Sequence, residues 1–159
     1  MEKSCCFTGH RPEKLDISIE ELEARLKTAI DEAVKDGFTT FITGMAPGTD
    51  LIAGKAVLDL NNPDIKLICA VPFPKHIQPL SDDWKEIYRC LLENATEVHY
   101  VSDEYSRQCF QLRDEWMVDR SDMVIAVYNG TRGGTRNTIL YANKKGVAVR
   151  QLLEVRNDE

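Results

Sequence analysis

The chain has 159 residues, of which 43% are hydrophobic, and carries a formal net charge of −6 at pH 7. This length and apolar fraction favour one globular domain with a substantial core. The acidic balance disfavours nucleic acid as a partner, because a surface that coats it needs a basic face. No apolar run is long enough to cross a bilayer and no signal-like segment follows Met1, so we expect a cytoplasmic protein without a membrane partner.

Cysteines and histidines are few and scattered along the chain. The five cysteines and three histidines form neither a C-x-x-C pair nor another metal-ligand spacing. We therefore expect no metal site and no cofactor. Cys5 and Cys6 are adjacent in a predicted strand and should point to opposite faces of a sheet. We expect the thiols to be buried and reduced.

The first half of the chain alternates between strand-like and helix-like patterns. Runs of β-branched and aromatic residues predict strands at residues 4–8, 38–43 and 65–71. Apolar residues at helical spacing predict helices at residues 17–35 and about 50–60. Ser18 is the predicted N-cap of the first helix, and Gly37 is expected to close it. The run PFPKHIQP contains three prolines and is expected to be a stiff, irregular loop.

The second half continues the alternation. Strands are predicted at residues 96–101, 123–127 and 147–153. A helix with Asp82 or Asp83 as its N-cap is predicted to run to residue 92. Further helices are predicted at 107–119 and, after a glycine turn, up to residue 145, where Gly146 ends the last helix. This alternation predicts a single-domain α/β fold over residues 1–155, a three-layer sandwich with a mostly parallel sheet. Residues 156–159 are expected to form a frayed tail.

Three predicted strands end in turns that contain glycine, at residues 8–11, 44–50 and 129–135. Glycine lets backbone N–H groups approach an anion, and the N-terminus of a following helix adds a partial positive charge. The last turn is the strongest of the three, although a plain loop is the alternative interpretation. Because ligands of parallel sheets bind at the carboxyl ends of the strands, we predict one pocket for a phosphorylated nucleotide-type ligand.

The residues predicted to contact this ligand belong to the three turns or to neighbouring helices. They are Thr8, Gly9, His10, Arg11, Gly44, Met45, Ala46, Gly48, Thr49, Asp50, Trp84, Arg113, Asn129, Gly130, Thr131, Gly133, Gly134 and Thr135. Cations near the same turns suit a small anion better than a polymer; they are Arg11, Lys14, Arg132 and Arg136. No catalytic residue is assigned.

Four of these side chains have two interpretations. His10 either binds a ribose or caps its turn. Asp50 is more easily explained as the N-cap of the second helix than as a catalytic carboxylate. Trp84 either stacks on a base or packs in the core, and core packing is slightly favoured. Arg113 either reaches the pocket or pairs with a neighbouring carboxylate at the surface.

Three stretches of the chain match the pattern of a known group of proteins. They are FTGHRPEKL, TFITGMAPGTDLIAGKAV and DRSDMVIAVYNGTRGGTRNTILYA. Together they resemble the SLOG superfamily of Smf/DprA-like and LOG domains, and its YpsA-like branch in particular, over nearly the whole chain. The resemblance implies a Rossmann-like sheet whose glycine turns bind nucleotides or molecules derived from NAD and ADP-ribose, often in a homodimer.

Within this superfamily the LOG enzymes cleave the N-glycosidic bond of nucleoside monophosphates. Arg113, Met117 and Asp122 keep the spacing of the LOG E-R-K-x-x-M motif and its following aspartate. The second LOG motif, P-G-G-x-G-T-x-x-E, departs here, because no acid follows Gly134 and Thr135 where the glutamate belongs. Cleavage of a glycosidic bond needs a carboxylate.

The resemblance therefore implies a protein that senses or sequesters its ligand, of the NAD, ADP-ribose or cyclic ADP-ribose type, rather than an enzyme. A LOG-like phosphoribohydrolase is the alternative, with a displaced carboxylate such as Asp50, Asp82 or Glu115. Single-stranded DNA binding, as in the Smf/DprA group, is disfavoured by the net charge.

Overall fold

The computed structural model describes residues 2–154; the predicted tail at residues 156–159 lies outside that range. Within it, the strands are β1 (Lys3–Gly9), β2 (Phe38–Thr43), β3 (Lys66–Val71), β4 (Glu97–Tyr100), β5 (Met123–Val127) and β6 (Ala148–Gln151). The α-helices are α1 (Ile19–Lys35), α2 (Thr49–Asp59), α3 (Asp82–Asn94), α4 (Cys109–Asp119) and α5 (Gly134–Lys145). The predicted α/β class is confirmed, and the chain has a Rossmann-like fold.

The six strands form one sheet in the order β4-β3-β2-β1-β5-β6, and every neighbouring pair is parallel. The chain builds outward from β1 to β4 and then returns to place β5 on the other side of β1. The connections that leave β1 and β5 therefore diverge, which opens a crevice at the carboxyl ends of these two strands. In that pair Gly9 lies opposite Val127, so both strands end at the same level.

Two cores lie on the two faces of the sheet, and Cys5 and Cys6 separate them. Cys5 belongs to the larger core, with Phe7, under α1, α2 and α3. Cys6 belongs to the smaller core, with Met117 and Ala142, under α4 and α5. Adjacent residues of β1 thus point to opposite faces, as predicted, and the layers are helices, sheet and helices.

The start of α1 and the end of α5 follow local sequence signals. Ser18 caps α1, because its hydroxyl accepts a hydrogen bond of 3.1 Å from the Glu21 N–H. Gly146 ends α5 with a φ of +73°, a left-handed conformation that glycine adopts at little cost. No helix among residues 2–154 is both long and apolar enough to span a membrane.

Two predictions about α3 and the loop before it are wrong. The N-cap position of α3 is occupied by Ser81, and Asp82 and Asp83 form the first turn of that helix instead of capping it. The proline-rich loop is not wholly irregular, because Pro74–Ile77 forms a 3-10 turn. Proline is compatible with the first position of a helical turn, where its missing N–H is not required.

Candidate functional site

A cavity of about 230 Å³ opens at the carboxyl ends of β1 and β5. The predicted ligand-binding residues that line it are Thr8, Gly9, His10, Arg11, Ala46, Asp50, Arg113, Gly133, Gly134 and Thr135. The tertiary structure therefore brings parts of all three glycine turns to one cavity. We call it the anion cavity.

His10 joins the β1 and β5 loops beside this cavity. Its backbone N–H donates to the Val127 carbonyl at 3.2 Å, and its Nε2 accepts from the Asn129 N–H at 3.2 Å. The Asn129 side chain in turn donates to the Lys14 carbonyl at 2.9 Å. Burial, together with the nearby Lys14 ammonium, lowers the pKa of His10, which favours the neutral ring that can accept at Nε2. His10 therefore has a structural role as well as a place in the cavity wall.

The second glycine turn packs behind the first. A Cβ on Gly9 would lie 2.3 Å from Thr49 Oγ1, and one on Gly48 would lie 2.8 Å from Pro12 Cδ. Thr49 also donates a hydrogen bond of 3.2 Å to the His10 carbonyl. Close packing between the two turns thus explains these glycines, and Gly48 and Thr49 lie behind the wall rather than in it.

Gly134 differs from those glycines. It begins α5, and a Cβ at this position would meet no heavy atom of residues 2–154 within 4 Å. Packing therefore gives no reason for glycine here. The space beside the first N–H groups of α5 is open, and these groups lack acceptors within the helix. An anion can approach the backbone at this point.

Two cations on the chain after β1 line the anion cavity. The 3-10 turn Pro12–Lys14 folds back from β1, so that Arg11 and Lys14 both line the anion cavity. The Lys14 Nζ lies 3.7 Å from the position that a Cβ on Gly133 would occupy. Its ammonium group is thus next to the open amides of α5.

Arg113 is fixed at the base of the cavity, where it is only 6% exposed. Its Nε donates to Asp114 Oδ1 at 2.8 Å and its Nη1 donates to the Gly44 carbonyl at 2.7 Å. Burial opposes the charge, but the neighbouring Asp114 and Asp50 carboxylates outweigh it and raise the pKa of Arg113. The predicted pairing with a neighbouring acid thus occurs, but in a buried site and not at the surface.

Asp50 does not cap α2, contrary to the prediction. Gly48 occupies the N-cap position, and Asp50 Oδ2 accepts a 3.3 Å hydrogen bond from the Ala46 N–H. Among residues 2–154, no group hydrogen-bonds to its Oδ1. Burial raises the pKa of this carboxyl from 3.8 to about 7, although Arg113 acts in the opposite direction. The anion cavity therefore contains a carboxyl group that changes charge near neutral pH.

Other predicted residues lie outside the lining of the anion cavity: Gly44, Met45, Gly48, Thr49, Trp84, Asn129, Gly130 and Thr131. Met45 is a core residue with no exposed surface. Asn129 shapes its own loop, because its Oδ1 accepts from the backbone and the hydroxyl of Thr131. Trp84 is half-buried, packs against the larger core and lines a neighbouring cavity. Arg132 and Arg136 are exposed and do not line the anion cavity.

Three lining residues were absent from the predicted set: Lys14, Phe110 and Asp114. Phe110 precedes Arg113 by one helical turn, so helical spacing was a signal that could have identified it. Lys14 was predicted as a cation near the first turn but not as a ligand contact, and the 3-10 turn Pro12–Lys14 brings it to the cavity. Within residues 2–154, no cluster of three or more acidic, histidine or cysteine side chains could hold a metal ion.

The sequence model of the YspA SLOG family (YpsA) matches residues 5–152. The chain belongs to this family, as its three motifs predicted, and SLOG members bind nucleotide-derived ligands. It is 36% identical over 139 residues to the uncharacterized SPbeta prophage-derived protein YoqJ of Bacillus subtilis (strain 168). That match covers 78% of this chain and 81% of YoqJ.

Solved structures with low sequence identity share the fold. DNA processing protein A of Helicobacter pylori, described for its single-stranded DNA binding mode, matches with a TM-score of 0.72 at 19% identity, over 99% of this chain and 67% of that one. The molybdenum cofactor carrier protein of Chlamydomonas reinhardtii matches with a TM-score of 0.61 at 16% identity, over 95% and 76%. At these identities the likeness concerns the fold alone.

Proposed function

We propose that this protein binds a phosphorylated, nucleotide-derived small molecule of the NAD, ADP-ribose or cyclic ADP-ribose type, and senses or sequesters it. One observation carries the proposal: the open amides of α5 and three cationic side chains line the same cavity. Backbone N–H groups at a helix N-terminus suit phosphate oxygens. The Arg113 guanidinium and the Lys14 ammonium supply the opposite charge.

The charge balance of the cavity supports an anionic ligand. Its three cations are Arg11, Lys14 and Arg113, and its two carboxyl groups are Asp50 and Asp114. Asp114 is paired with Arg113 at 2.8 Å, and Asp50 has a pKa of about 7 because it is buried. Near and below neutral pH, the cations that line the cavity therefore outnumber its ionised carboxylates.

Binding is tested by isothermal titration with ADP-ribose, NAD, AMP and cyclic ADP-ribose. Gly134→Asp is the informative variant, because it places a carboxylate where the phosphate would lie. The new aspartate is in the first turn of α5, where it favours the helix, so the fold should be retained. We expect the dissociation constant to rise by roughly tenfold or more through like-charge repulsion.

Asn137→Asp is the matched control, since Asn137 is exposed, lies near the same helix end and does not line the cavity. It should leave the affinity nearly unchanged. If the wild-type protein stays folded and binds none of the four compounds, the proposed function is wrong.

A phosphoribohydrolase is the second candidate, and Asp50 is the observation that favours it. Of the three displaced carboxylates considered, only Asp50 lines the anion cavity; Asp82 and Glu115 do not. A carboxyl with a pKa of about 7 suits proton transfer. Release of free base from AMP, measured by chromatography and lost in Asp50→Asn, would establish this activity.

The homodimer belongs to the same proposal. The helices α4 and α5 pack side by side, and each exposes a leucine, Leu112 at 46% and Leu140 at 52%. We expect light scattering to report a dimer that Leu140→Asp converts to a monomer. Single-stranded DNA binding is the disfavoured alternative, and a salt-dependent gel shift would restore it.

A further inference from the structure

We propose that a second cavity, next to the anion cavity, binds the flat aromatic ring of the same ligand, a nucleobase or a nicotinamide. This inference rests on the proposed function, and it assigns a binding site to the part of that ligand that lies outside the anion cavity. The second cavity has a volume of about 540 Å³ and lies against the proline-rich loop and α3. We call it the ring cavity.

The two cavities adjoin. Arg11 and Phe110 line both of them. The anion cavity, at about 230 Å³, is smaller than the roughly 300–1,000 Å³ typical of small-molecule sites. It has room for phosphate groups, and the rest of a nucleotide must extend beyond it. The shared wall makes the ring cavity the neighbouring space into which the ligand can extend.

Aromatic side chains surround the ring cavity; they are Phe73, Trp84, Tyr105 and Phe110. The Phe73 ring centroid lies 5.6 Å from that of Tyr105 and 6.2 Å from that of Phe110, in edge-to-face arrangements. Tyr105 is 63% exposed, which is unusual for so large a ring in an aromatic cluster. A flat ligand ring would cover this exposed surface and stack on it.

The floor of the ring cavity is uncharged. His76 is buried there, and its Nδ1 lies 3.0 Å from the Tyr88 hydroxyl. Burial, together with the nearby Arg113 and Arg11 guanidiniums, lowers the pKa of His76 to about 4, so the ring is neutral at physiological pH. The floor therefore places no buried charge against a neutral nucleobase. The nicotinamide ring of a nucleotide is a pyridinium cation, which can make cation–π contacts with the aromatic walls. Exposed polar side chains at Arg11, Glu13 and Ser81 can hydrogen-bond its edge.

Phe110 connects the two cavities physically. The Arg113 guanidinium carbon lies 5.7 Å from the centroid of the Phe110 ring, within the range of a cation–π contact. The same arginine thus orders the wall between the cavities and supplies charge to the anion cavity. A purely apolar peptide would make no use of the adjoining cations, whereas a ligand with both a phosphate and an aromatic ring uses both cavities.

The test compares AMP, nicotinamide mononucleotide and ribose 5-phosphate. The two mononucleotides carry different aromatic rings on the same ribose 5-phosphate, and ribose 5-phosphate itself carries no such ring. We expect at least one mononucleotide to bind about tenfold or more tightly than ribose 5-phosphate. The comparison of the two mononucleotides distinguishes adenine from nicotinamide. Tyr105→Ser should remove most of this difference in affinity and leave the affinity for ribose 5-phosphate unchanged. The variant should fold, because Tyr105 is exposed.

Tyr100→Ser is the matched control, since Tyr100 is 48% exposed on β4 and lines neither cavity. A second measurement uses fluorescence. The chain has two tryptophans, so Trp116→Phe leaves Trp84 as the only one, and its emission should change with the mononucleotide and not with ribose 5-phosphate.

The two proposals fail in different ways. Suppose that ribose 5-phosphate binds as tightly as both mononucleotides, and that Gly134→Asp weakens the binding of all three compounds. The proposed anion site is then supported and the proposed ring site is refuted. The ring cavity is also refuted if Tyr105→Ser and Tyr100→Ser have equal effects on the binding of the mononucleotides. If none of these compounds nor ADP-ribose and NAD binds the folded protein, both proposals are refuted.

Discussion

Replacement of Asp50 by asparagine is expected to stabilise the folded protein at pH 8. Asp50 is only 5% exposed, and its Oδ1 has no hydrogen-bond partner among residues 2–154. Burial therefore makes its ionised form unfavourable and raises its pKa to about 7. Asparagine has nearly the same shape, can still accept the hydrogen bond from the Ala46 N–H, and carries no charge.

The sign of the pH dependence follows from the two pKa values. The unfolded chain releases the Asp50 proton near pH 3.8, whereas the folded protein holds it until about pH 7. Between these values the folded state binds more protons, so this group lowers stability progressively as the pH rises from 4 to 7. Above pH 7 the penalty is constant, and the shift from 3.8 to about 7 limits it to about 4 kcal/mol.

Urea unfolding at pH values from 4 to 8, followed by circular dichroism, measures this effect. The free energy of unfolding of Asp50→Asn should exceed that of the wild type by up to about 4 kcal/mol at pH 8, and the gap should close towards pH 4. Asp31→Asn removes an equal charge from an exposed position of α1 and should show no such trend. A gap that is independent of pH, or a less stable Asp50→Asn at pH 8, refutes the reasoning.

Three further predictions concern the same region. ADP-ribose should bind the wild type more weakly as the pH rises from 7 to 9, because its phosphates face an ionised Asp50, while Asp50→Asn should show a flatter profile by calorimetry. Arg113→Leu should lower the free energy of unfolding by about 3–5 kcal/mol, because Asp114 is left buried and unpaired; an unchanged urea midpoint would contradict this. Gly9→Ala should lower it by about 1–3 kcal/mol, because the new Cβ would lie 2.3 Å from Thr49 Oγ1; a smaller loss in Gly134→Ala, where space is open, is the control.

Some helix ends and the glycine turn before α5 could be predicted from the sequence, because each depends on residues a few positions apart. Ser18 caps α1 and Gly146 ends α5 through contacts with residues a few positions away. The glycine pair at Gly133 and Gly134 was interpreted as an anion-binding turn for the same reason. That geometry needs only a strand, a glycine turn and a helix that follow one another in sequence, and no contact with distant parts of the chain.

The interpretation of Asp50 failed because its surroundings are not local. An aspartate beside a glycine turn and a helix start usually caps the helix, and sequence reasoning favoured that role. In the structure, the buried Arg113 and the Gly44 turn surround the carboxyl, and both depend on how α4 packs against the sheet. The raised pKa of Asp50 is a property of that packing.

The sequence by itself determined the α/β alternation, the start of α1, the end of α5 and the family, because hydrophobic period, glycine and capping residues act over a few positions. Only the tertiary structure decided that β5 lies beside β1, and that Lys14, Phe110 and Asp114 join the cavity. It also decided that Gly48 packs behind the site while Gly134 faces open space. Strand order follows from burying both faces of one sheet, a condition that the whole chain must satisfy at once.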